Sequence, residues 1–336
     1  MSRQLRAVTA FPARVVSYAR RQILFAAFRS ALENTEPLPL ERETGAQLHA
    51  LTGRRGLADV IGAFESFYRF APTRHPLLVH DDGSLTDADV ALVHRHLPGA
   101  RVVRRAEADR RVAPLLEAAG LRRCIDLRAR LPFALKLIDL RVYAEGRPAL
   151  YFDGDVLFHR SPELVHRMLA NQNAPWVDRY NEDVVSSYAW TPEQVANSIG
   201  VRLRPQVNAG LVCVRRPDYA EDFELFENCL ALETPPDLFY YTEQTLNAIE
   251  LTRRGAEPLP PDYDVCFRHA ARGDYDDWLK RAEGGEQVTS QHYCGGWAQR
   301  RFYYHHFIDH VAPALQRRGL RPQVALTSLA RDIVGS

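Results

Sequence analysis

Short apolar runs alternate with stretches of helical periodicity along the first half of the chain. The short segments at residues 47–52, 76–80 and 101–103, which are rich in apolar residues, predict strands. Between them, apolar residues recur three and four positions apart over residues 57–70 and 86–97, which predicts helices. Repeats of strand and helix at this spacing favour a mostly parallel central sheet with helices on both faces. The predicted fold class is therefore α/β.

The pattern becomes less regular in the second half of the chain. Apolar runs at 149–152 and 207–214 predict two more strands, the second interrupted by Asn208-Ala209-Gly210. Thr86 followed by Asp89 resembles a capping box, which marks the start of a helix. Ligands of mainly parallel sheets bind beyond the carboxyl ends of the strands, so polar residues at those ends are candidate site residues. Further helices are predicted over residues 111–119, 132–143, 162–170, 191–198, 221–230 and 243–250.

The N-terminal segment has a different character from the rest. Residues 1–32 contain six arginines and no acidic residue, with apolar residues between the arginines. This pattern predicts a basic amphipathic helix, which either lies on an anionic membrane surface or packs on the rest of the protein. Its apolar stretches are too short and interrupted for a signal peptide. We predict three parts: 1–44 as a helix and linker, 45–300 as the main domain, and 301–336 as a helical extension.

The composition excludes several functions. Lysine and arginine number 43 against 42 acidic residues, and a net charge of +1 gives no sign of a nucleic-acid partner. No apolar run of about 18 residues is present, so no spanning helix is predicted. The five cysteines are scattered and form no Cys-x-x-Cys pair, which favours a reducing compartment over a disulfide framework. We predict a bacterial, cytoplasmic location, with residues 1–32 as the candidate for peripheral contact with the inner membrane.

The residues with the clearest chemistry are Asp153 and Asp155, which follow the apolar run at 149–152. Residues two apart in an extended chain point to the same side, and Gly154 between them lets a ligand approach the backbone. Two carboxylates with no cation beside them favour a divalent metal ion bound through oxygen. The alternative is a strand end followed by an ordinary Asp-Gly turn. The apolar residues on both sides favour the metal site.

Five motifs follow one another along the chain. They are His80-Asp81-Asp82-Gly83-Ser84, Asp153-Gly154-Asp155, Asn208-Ala209-Gly210, Glu243-Gln244 with Leu246-Asn247, and Gln291-His292-Tyr293-Cys294-Gly295. In this order they resemble glycosyltransferases of the GT-A fold, the first motif being similar to family 2 and the later ones to glycogenin-like family 8. The resemblance covers about residues 46–300. It implies transfer of a sugar from a UDP- or GDP-linked donor to a hydroxyl group of a glycan, lipid-linked or peptide acceptor.

The resemblance also implies a role for individual residues. Asp153, Asp155 and His292 would hold Mn²⁺ or Mg²⁺, which acts as a Lewis acid on the leaving diphosphate. Catalysis is assigned to Asp155 and to Glu243, which would accept the acceptor proton in an inverting reaction or orient the sugar in a retaining one. Residues implied in donor binding are Thr52, Asp81, Asp82, Lys136, Asp153, Asn208, Gly210, Gln244, Gly295 and Arg300.

One stretch fits the resemblance less well. The family 8 pattern continues after its histidine to a lysine, whereas this chain has Ala298 there and Arg300 and Arg301 shortly after. The diphosphate contact is therefore open between Lys136 and the two arginines.

Four other histidines lack partners at ligand spacing and are predicted to lie at the surface: His94, His96, His305 and His306.

Two other functions fit part of the pattern. Residues 153–157 also match the first motif of haloacid-dehalogenase-like phosphatases, in which the first aspartate, here Asp153, is a nucleophile. That family places the motif on the first strand of its domain, whereas three predicted strands precede it here. The other alternative is a non-catalytic carbohydrate-binding relative. Two unneutralised carboxylates count against it, because they cost stability unless they bind something.

Overall fold

The computed structural model contains two compact units. One unit is Pro37–His292, and the other combines Met1–Glu36 with Tyr293–Ser336. The boundaries between the two units fall after Glu36 and after His292. The division into three parts that was made from the sequence stays a prediction. The structure describes residues 3–171, 176–217, 219–265, 288–294 and 297–316.

Strands and helices alternate through the larger unit, and helices dominate the smaller one. The described strands are β1 (Gln47–Thr52), β2 (Leu77–Asp81), β3 (Arg101–Val103), β4 (Ala149–Phe152), β5 (Val156–Phe158), β6 (Arg179–Glu182), β7 (Val207–Val214), β8 (Glu257–Pro258), β9 (Tyr263–Val265) and β10 (Ser290–His292). The described α-helices are α1 (Arg3–Glu33), α2 (Leu57–Tyr68), α3 (Asp87–His96), α4 (Arg105–Ala118), α5 (Arg122–Arg130), α6 (Ala134–Ala144), α7 (Glu163–Ala170), α8 (Pro192–Ile199), α9 (Tyr219–Cys229), α10 (Thr242–Arg253) and α11 (Trp297–His306). Shorter helical turns are Pro236–Tyr241, Phe307–Val311 and Ala312–Leu315.

The main sheet has seven strands in the order β3-β2-β1-β4-β7-β6-β8. Neighbouring strands are parallel from β3 to β4 and between β6 and β8, while β7 runs antiparallel to both of its neighbours. Every residue of β2, β4 and β7 is buried, as expected of strands that are covered on both faces. The prediction of an α/β fold with a mostly parallel central sheet is confirmed.

Helices cover both faces of this sheet, as two adjacent residues of β4 show. Tyr151 belongs to a core cluster with Leu140 and Ala144 of α6. The next residue, Phe152, stacks its ring on Phe64 of α2 with centroids 4.1 Å apart. Because consecutive strand residues point to opposite faces, α6 and α2 lie on opposite sides of the sheet. Burial of a side chain of this size contributes roughly 1.5–3 kcal/mol, so both layers hold β4 firmly.

The predictions of helices and strands are most accurate where the pattern of apolar residues extends over many positions. Helix α3 begins as predicted, with a capping box in which the Thr86 amide donates to Asp89 Oδ2 at 2.8 Å and the Asp89 amide donates to Thr86 Oγ1 at 3.3 Å. The sequence did not predict α5 or the strands β5, β6, β8, β9 and β10. Those strands have only two to four residues each, and most of them include polar residues, so they show no continuous apolar run.

A second, three-stranded sheet has the order β5-β10-β9. Strand β10 pairs antiparallel with β5 in a register that sets His292 opposite Val156. On its other side, β10 pairs parallel with β9. Since Val156 directly follows the acidic pair, this pairing brings a residue that is distant in sequence beside Asp155.

The smaller unit is helical in its described part. The last turns of α1 bury Leu24, Phe28 and Leu32. The Phe28 ring lies 4.8 Å from that of Tyr304 and 5.0 Å from that of Phe307, centroid to centroid. This half of α1 is therefore a packed helix, one of the two alternatives for the segment. None of the described helices combines the length and apolar character that crossing a membrane requires.

Three of the four histidines that the sequence predicts at the surface are buried: His96, His305 and His306. His96 Nδ1 lies 2.8 Å from Glu65 Oε1 in a buried ion pair. His306 Nδ1 and the Tyr293 hydroxyl are 2.8 Å apart. The prediction was wrong for His96 and His306 because their partners lie 31 and 13 residues away along the chain, where ligand-spacing rules do not find them.

The cysteines fit the reducing compartment only in part. Cys124, Cys213 and Cys229 are free and buried, and burial raises the pKa of each thiol. They behave as small apolar residues of the core. Cys294, in contrast, is disulfide-bonded. The cytoplasmic location therefore stays a prediction, and this disulfide does not support it.

Candidate active site

The acidic pair lies at the edge of the main sheet where β1, β2 and β4 end. Because these three strands are parallel and adjacent, Thr52, Asp81 and Phe152 mark the same edge. The Asp153 amide donates to the Gly210 carbonyl oxygen at 2.8 Å, which fixes the first residue after β4. The polar residues that follow these strands are thus gathered on one side of the sheet.

Space explains why a glycine separates the two acids. A Cβ on Gly154 would lie 2.7 Å from Val60 Cγ2 and 3.1 Å from the Val60 amide nitrogen. Both distances are shorter than an ordinary van der Waals contact. Since the first turn of α2 leaves no room for a side chain here, the flanking carboxylates turn away from the helix.

Asp153, Asp155 and His292 form a compact cluster. One potential ligand atom from each lies within 4.8 Å of the other two, and His292 Nε2 is 3.2 Å from Asp155 Oδ1. The His292 side chain is 4% exposed and that of Asp153 is 30% exposed, so the cluster opens to solvent on the Asp153 side. In the described part of the chain, no other group of three or more histidine, cysteine or acidic side chains has ligand atoms this close together.

The donor chemistry of this cluster fits a divalent cation. Carboxylate oxygens with one imidazole nitrogen are suited to Mn²⁺ and also accept Mg²⁺. His292 Nδ1 is buried and has no hydrogen-bond partner among the described residues, which is uncommon for a buried polar atom. Burial alone would lower the pKa of His292, but the carboxylates of Asp155 and Asp153 raise it above its ordinary value. The negative charge of these two carboxylates also favours a bound cation.

Strand β7 forms the wall behind His292. A Cβ on Gly210 would overlap Cε1 of His292 and would lie 2.6 Å from its Nδ1. The Gly210 amide donates to Asn208 Oδ1 at 2.7 Å, and Asn208 Nδ2 donates to Asp183 Oδ2 at 2.9 Å. The Asn-Ala-Gly interruption of this apolar strand therefore makes room for the imidazole ring and holds the backbone beside it.

We expect Gly210→Ala to weaken Mn²⁺ binding about tenfold to hundredfold with the fold retained, because the added methyl group displaces the His292 ring. Calorimetric titration of the purified variant with Mn²⁺ measures the affinity. Gly56→Ala is the matched control, since a Cβ there meets no atom closer than 3.4 Å. Equal affinity in Gly210→Ala and the wild type would remove His292 from the ligand set.

Lys136 on α6 connects Asp153 to Glu243 on α10. Its Nζ lies 3.3 Å from Asp153 Oδ1 and 3.4 Å from Glu243 Oε2. The Tyr151 hydroxyl also donates to Asp153 Oδ1. Burial would lower the pKa of Lys136, but the carboxylates of Asp153 and Glu243 raise it above its ordinary value. The ammonium group therefore stays charged and fixes a positive charge beside the acidic cluster.

Glu243 is the buried carboxyl group of the site. Asn247, one helical turn later, donates Nδ2 to Glu243 Oε1 at 2.5 Å. Burial raises the pKa of Glu243 to about 7, with Asp153 adding to the rise and Lys136 opposing it. A carboxyl group that titrates near neutral pH can take up and release a proton under physiological conditions, as a general base must.

Asp81 and Asp82 have different surroundings. Asp81 is buried, and its Oδ1 accepts the amides of Gly83 and Leu85 at 2.8 and 3.1 Å. Asp82 is half-buried and lies against the loop after β1, where a Cβ on Gly53 would be 2.6 Å from the Asp82 Cγ. Asp81 therefore holds the turn, and Asp82 lies over the loop that joins β1 to α2.

The other residues predicted in the donor site have varied positions. Thr52 is buried at the end of β1 and donates Oγ1 to the Gly53 carbonyl at 3.0 Å. Gln244 donates Nε2 to a backbone carbonyl, that of residue 187, at 3.2 Å. Arg300 lies on α11 in the smaller unit, and Gly295 lies outside the described residues. The residues that the structure brings together are Lys136, Asp153, Asp155, Glu243 and His292, with Asn208 and Gly210 behind His292.

Three residues of the site were given no role from the sequence: Tyr151, Asp183 and Asn247, of which Asn247 was noted only as part of the Glu243-Gln244 motif. Tyr151 precedes Asp153 by two residues on the same side of the strand, and Asn247 follows Glu243 by one helical turn. Both spacings are visible in the sequence. Asp183 meets Asn208 through the pairing of β6 with β7, which no local pattern predicts.

A scan against protein-family models finds no match, and a search of curated proteins finds none. Among solved structures, the chain is similar to the WbbM bifunctional glycosyltransferase, with 11% identity and a TM-score of 0.48 over 81% of this chain and 51% of that one. It is also similar to mouse xyloside xylosyltransferase 1 (12% identity, TM-score 0.45, 78% and 99% covered). A further similar structure is the galactosyltransferase LgtC with donor and acceptor sugar analogues (17% identity, TM-score 0.47, 83% and 98% covered).

The chain therefore spans about half the length of WbbM and nearly the whole length of the two other transferases. All three TM-scores are below 0.5, which marks a weak similarity. The function proposed next rests on the residues of the site.

Proposed function

We propose that this protein is a metal-dependent glycosyltransferase with the GT-A arrangement that its motifs resemble. The observation that carries the proposal is the cluster of Asp153, Asp155 and His292 at the carboxyl edge of the sheet. Beside it lies the buried pair of Lys136 and Glu243. Transfer from a nucleotide sugar needs positive charge at the diphosphate, which a metal ion in the cluster and Lys136 would supply. It also needs a nearby carboxylate that accepts a proton or orients the sugar, and Glu243 is the candidate for that role.

The first part of the proposal concerns the diphosphate. Asp153, Asp155 and His292 would hold Mn²⁺ or Mg²⁺, which would supply Lewis-acid stabilisation of the leaving group. Lys136 holds Asp153 in place and adds a fixed positive charge at the same edge. A UDP- or GDP-sugar is the proposed donor.

The second part concerns the two ends of the donor. Asp82 and Thr52, at the ends of β2 and β1, are proposed to meet the nucleoside, while Asp81 maintains the turn that carries Asp82. Asn208 and Gln244 are proposed to line the sugar pocket together with the backbone at Gly210. Contacts from Arg300 and Gly295 stay predictions from the resemblance.

Glu243 is the proposed catalytic carboxylate. With a pKa of about 7 it can accept the proton of an acceptor hydroxyl near neutral pH, as an inverting reaction requires. In a retaining reaction it would orient the transferred sugar instead. The proposed acceptor carries a hydroxyl group on a glycan, lipid-linked sugar or peptide.

A turnover assay tests this function. The protein is incubated with Mn²⁺, a panel of UDP-, GDP-, CDP- and dTDP-sugars and a mixture of simple saccharide acceptors, and release of nucleoside diphosphate is followed by chromatography. We expect release from one nucleotide class that stops when the metal is removed with a chelator. Equal release after chelation, or in Asp153→Ala, would contradict a reaction at this site.

We further propose that the first half of α1 binds anionic membrane surfaces through its arginines. Replacement of Arg3, Arg6 and Arg14 by glutamate is expected to lower binding to phosphatidylglycerol-containing vesicles at least about tenfold, since each basic residue near such a surface contributes about 1 kcal/mol. Cosedimentation with the vesicles measures the bound fraction.

The control for this variant has the same change of charge elsewhere. Arg95, Arg110 and Arg122 are exposed in the larger unit, and their replacement by glutamate should leave vesicle binding nearly unchanged. If both triple variants bind the vesicles equally well, the whole of α1 is better described as a packed helix.

A further inference from the structure

Aromatic side chains lie one helical turn before the charged residues of the site. Phe133 is the residue immediately before α6, and Lys136 follows it by three positions. Tyr240 lies in the short helix before α10, three positions before Glu243. Residues three apart lie on the same side of a helix. Each aromatic residue therefore neighbours one member of the Lys136–Glu243 pair.

The rings also contact one another. The Phe133 and Tyr240 centroids are 5.3 Å apart at an interplanar angle of 82°, and those of Tyr240 and Tyr241 are 5.5 Å apart at 88°. We call these three residues the aromatic platform. Lys136 Nζ lies 5.9 Å from the Phe133 centroid and 3.3 Å from Asp153 Oδ1. The platform therefore adjoins the proposed catalytic groups.

Two of the three platform residues are open to solvent. Tyr240 is 61% exposed and Phe133 is 39% exposed. Burial of an aromatic side chain stabilises a fold, and Tyr240 forgoes more than half of that gain and Phe133 more than a third. Single exposed apolar residues are ordinary, but a contacting aromatic pair beside a charged site is typical of a binding surface.

We propose that the aromatic platform binds a sugar ring of the acceptor, which makes the acceptor a saccharide. A pyranose presents a face of C–H groups that packs on an aromatic ring and an edge of hydroxyl groups that bind polar partners. Tyrosine offers both an apolar ring and a hydroxyl group for such a ligand. This inference rests on the proposed function and goes beyond it by naming the acceptor class.

Charge near the rings argues against an acyl chain as the occupant. The ammonium group of Lys136 lies beside Phe133, and the guanidinium of Arg130 lies 4.7 Å from the ring centroid of Phe239, the residue before Tyr240. A lipid chain would have to remove the exposed guanidinium of Arg130 from water, which costs free energy. A sugar can instead bond to it through its hydroxyl groups.

An array of defined oligosaccharides tests the inference. Labelled protein is applied with Mn²⁺ and the nucleoside diphosphate that binds best, and the wild type is compared with Phe133→Ala/Tyr240→Ala. We expect the wild type to bind at least one saccharide, and the double variant to bind it about tenfold or more weakly. Leu115→Ala is the matched control, because Leu115 is 39% exposed, as is Phe133.

The outcomes separate this inference from the proposed function. Melting temperatures of the same samples with Mn²⁺ and the nucleoside diphosphate report the donor site independently of the acceptor. The inference is overturned, and the proposed function is not, in two cases. In the first, the donor site binds the nucleoside diphosphate but the wild type recognises no saccharide. In the second, the double variant binds the saccharide as well as the wild type does. Binding to phosphatidylglycerol vesicles that depends on Phe133 and Tyr240 would overturn it as well.

Discussion

Asp155→Asn is expected to abolish Mn²⁺-dependent binding of nucleoside diphosphate. Asparagine keeps the shape of the side chain but removes one of the two negative charges that face the proposed cation. Loss of a partner that only orients a ligand typically lowers metal affinity about tenfold to hundredfold, so loss of a direct ligand should cost at least about a hundredfold. Calorimetric titration with Mn²⁺, with and without the nucleotide, measures this loss.

The matched control for this variant is Asp109→Asn. Asp109 is also ion-paired, with Arg105 at 2.8 Å and Arg128 at 2.5 Å, but it belongs to a different cluster. Both variants lose an ionic contact, so general effects on folding should be similar. Only Asp155→Asn should lose Mn²⁺ affinity. Equal affinity in the two variants would show that Asp155 does not ligate the metal.

Glu243→Gln is expected to lower kcat about a hundredfold to ten-thousandfold while donor binding changes little, because glutamine cannot accept a proton. The pKa of about 7 also predicts a pH profile. In the wild type, activity should fall as the pH decreases through about 7, since the carboxyl group becomes protonated. The variant should lose this acidic limb. Steady-state kinetics over a range of pH measure both effects.

Stability provides the control for this second variant. The pKa of Glu243 is raised above its ordinary value, so the folded state holds the proton more tightly than the unfolded state. The resulting stabilisation is present at low pH and is lost as the pH rises through about 7. A neutral glutamine should therefore not lower the melting temperature at alkaline pH. Unchanged kcat in a well-folded Glu243→Gln would exclude Glu243 as the base and leave it an orienting role.

The sequence predicts the sheet and its acidic edge because both follow from patterns among residues that are close together in the chain. Segments rich in apolar residues mark β1, β2, β4 and β7, and Asp153 with Asp155 follows directly after β4. Lys136 falls on the predicted helix over 132–143, which corresponds to α6. Because both acidic pairs, Asp81-Asp82 and Asp153/Asp155, follow predicted parallel strands, they are predicted to share one edge of the sheet.

The rest of the site depends on contacts that local patterns do not contain. His292 reaches Asp155 only through the pairing of β10 with β5, and each of these strands has three residues. Gly210 was predicted to take part in donor binding, and in the structure it leaves space for the His292 ring. The contact of Lys136 with Glu243 depends on how α6 lies beside α10. Such tertiary pairings can be described only once the fold is known.

A thermal-shift panel tests the central claim most directly. The wild type and Asp153→Ala/Asp155→Ala are heated with UDP, GDP, CDP or dTDP, each with and without Mn²⁺. A ligand that binds only the folded state raises the melting temperature. We predict a rise for one nucleotide that requires both Mn²⁺ and the two aspartates. A rise with Mg²⁺ and a phosphate mimic, and none with any nucleotide, would contradict the glycosyltransferase and favour a phosphatase with Asp153 as its nucleophile.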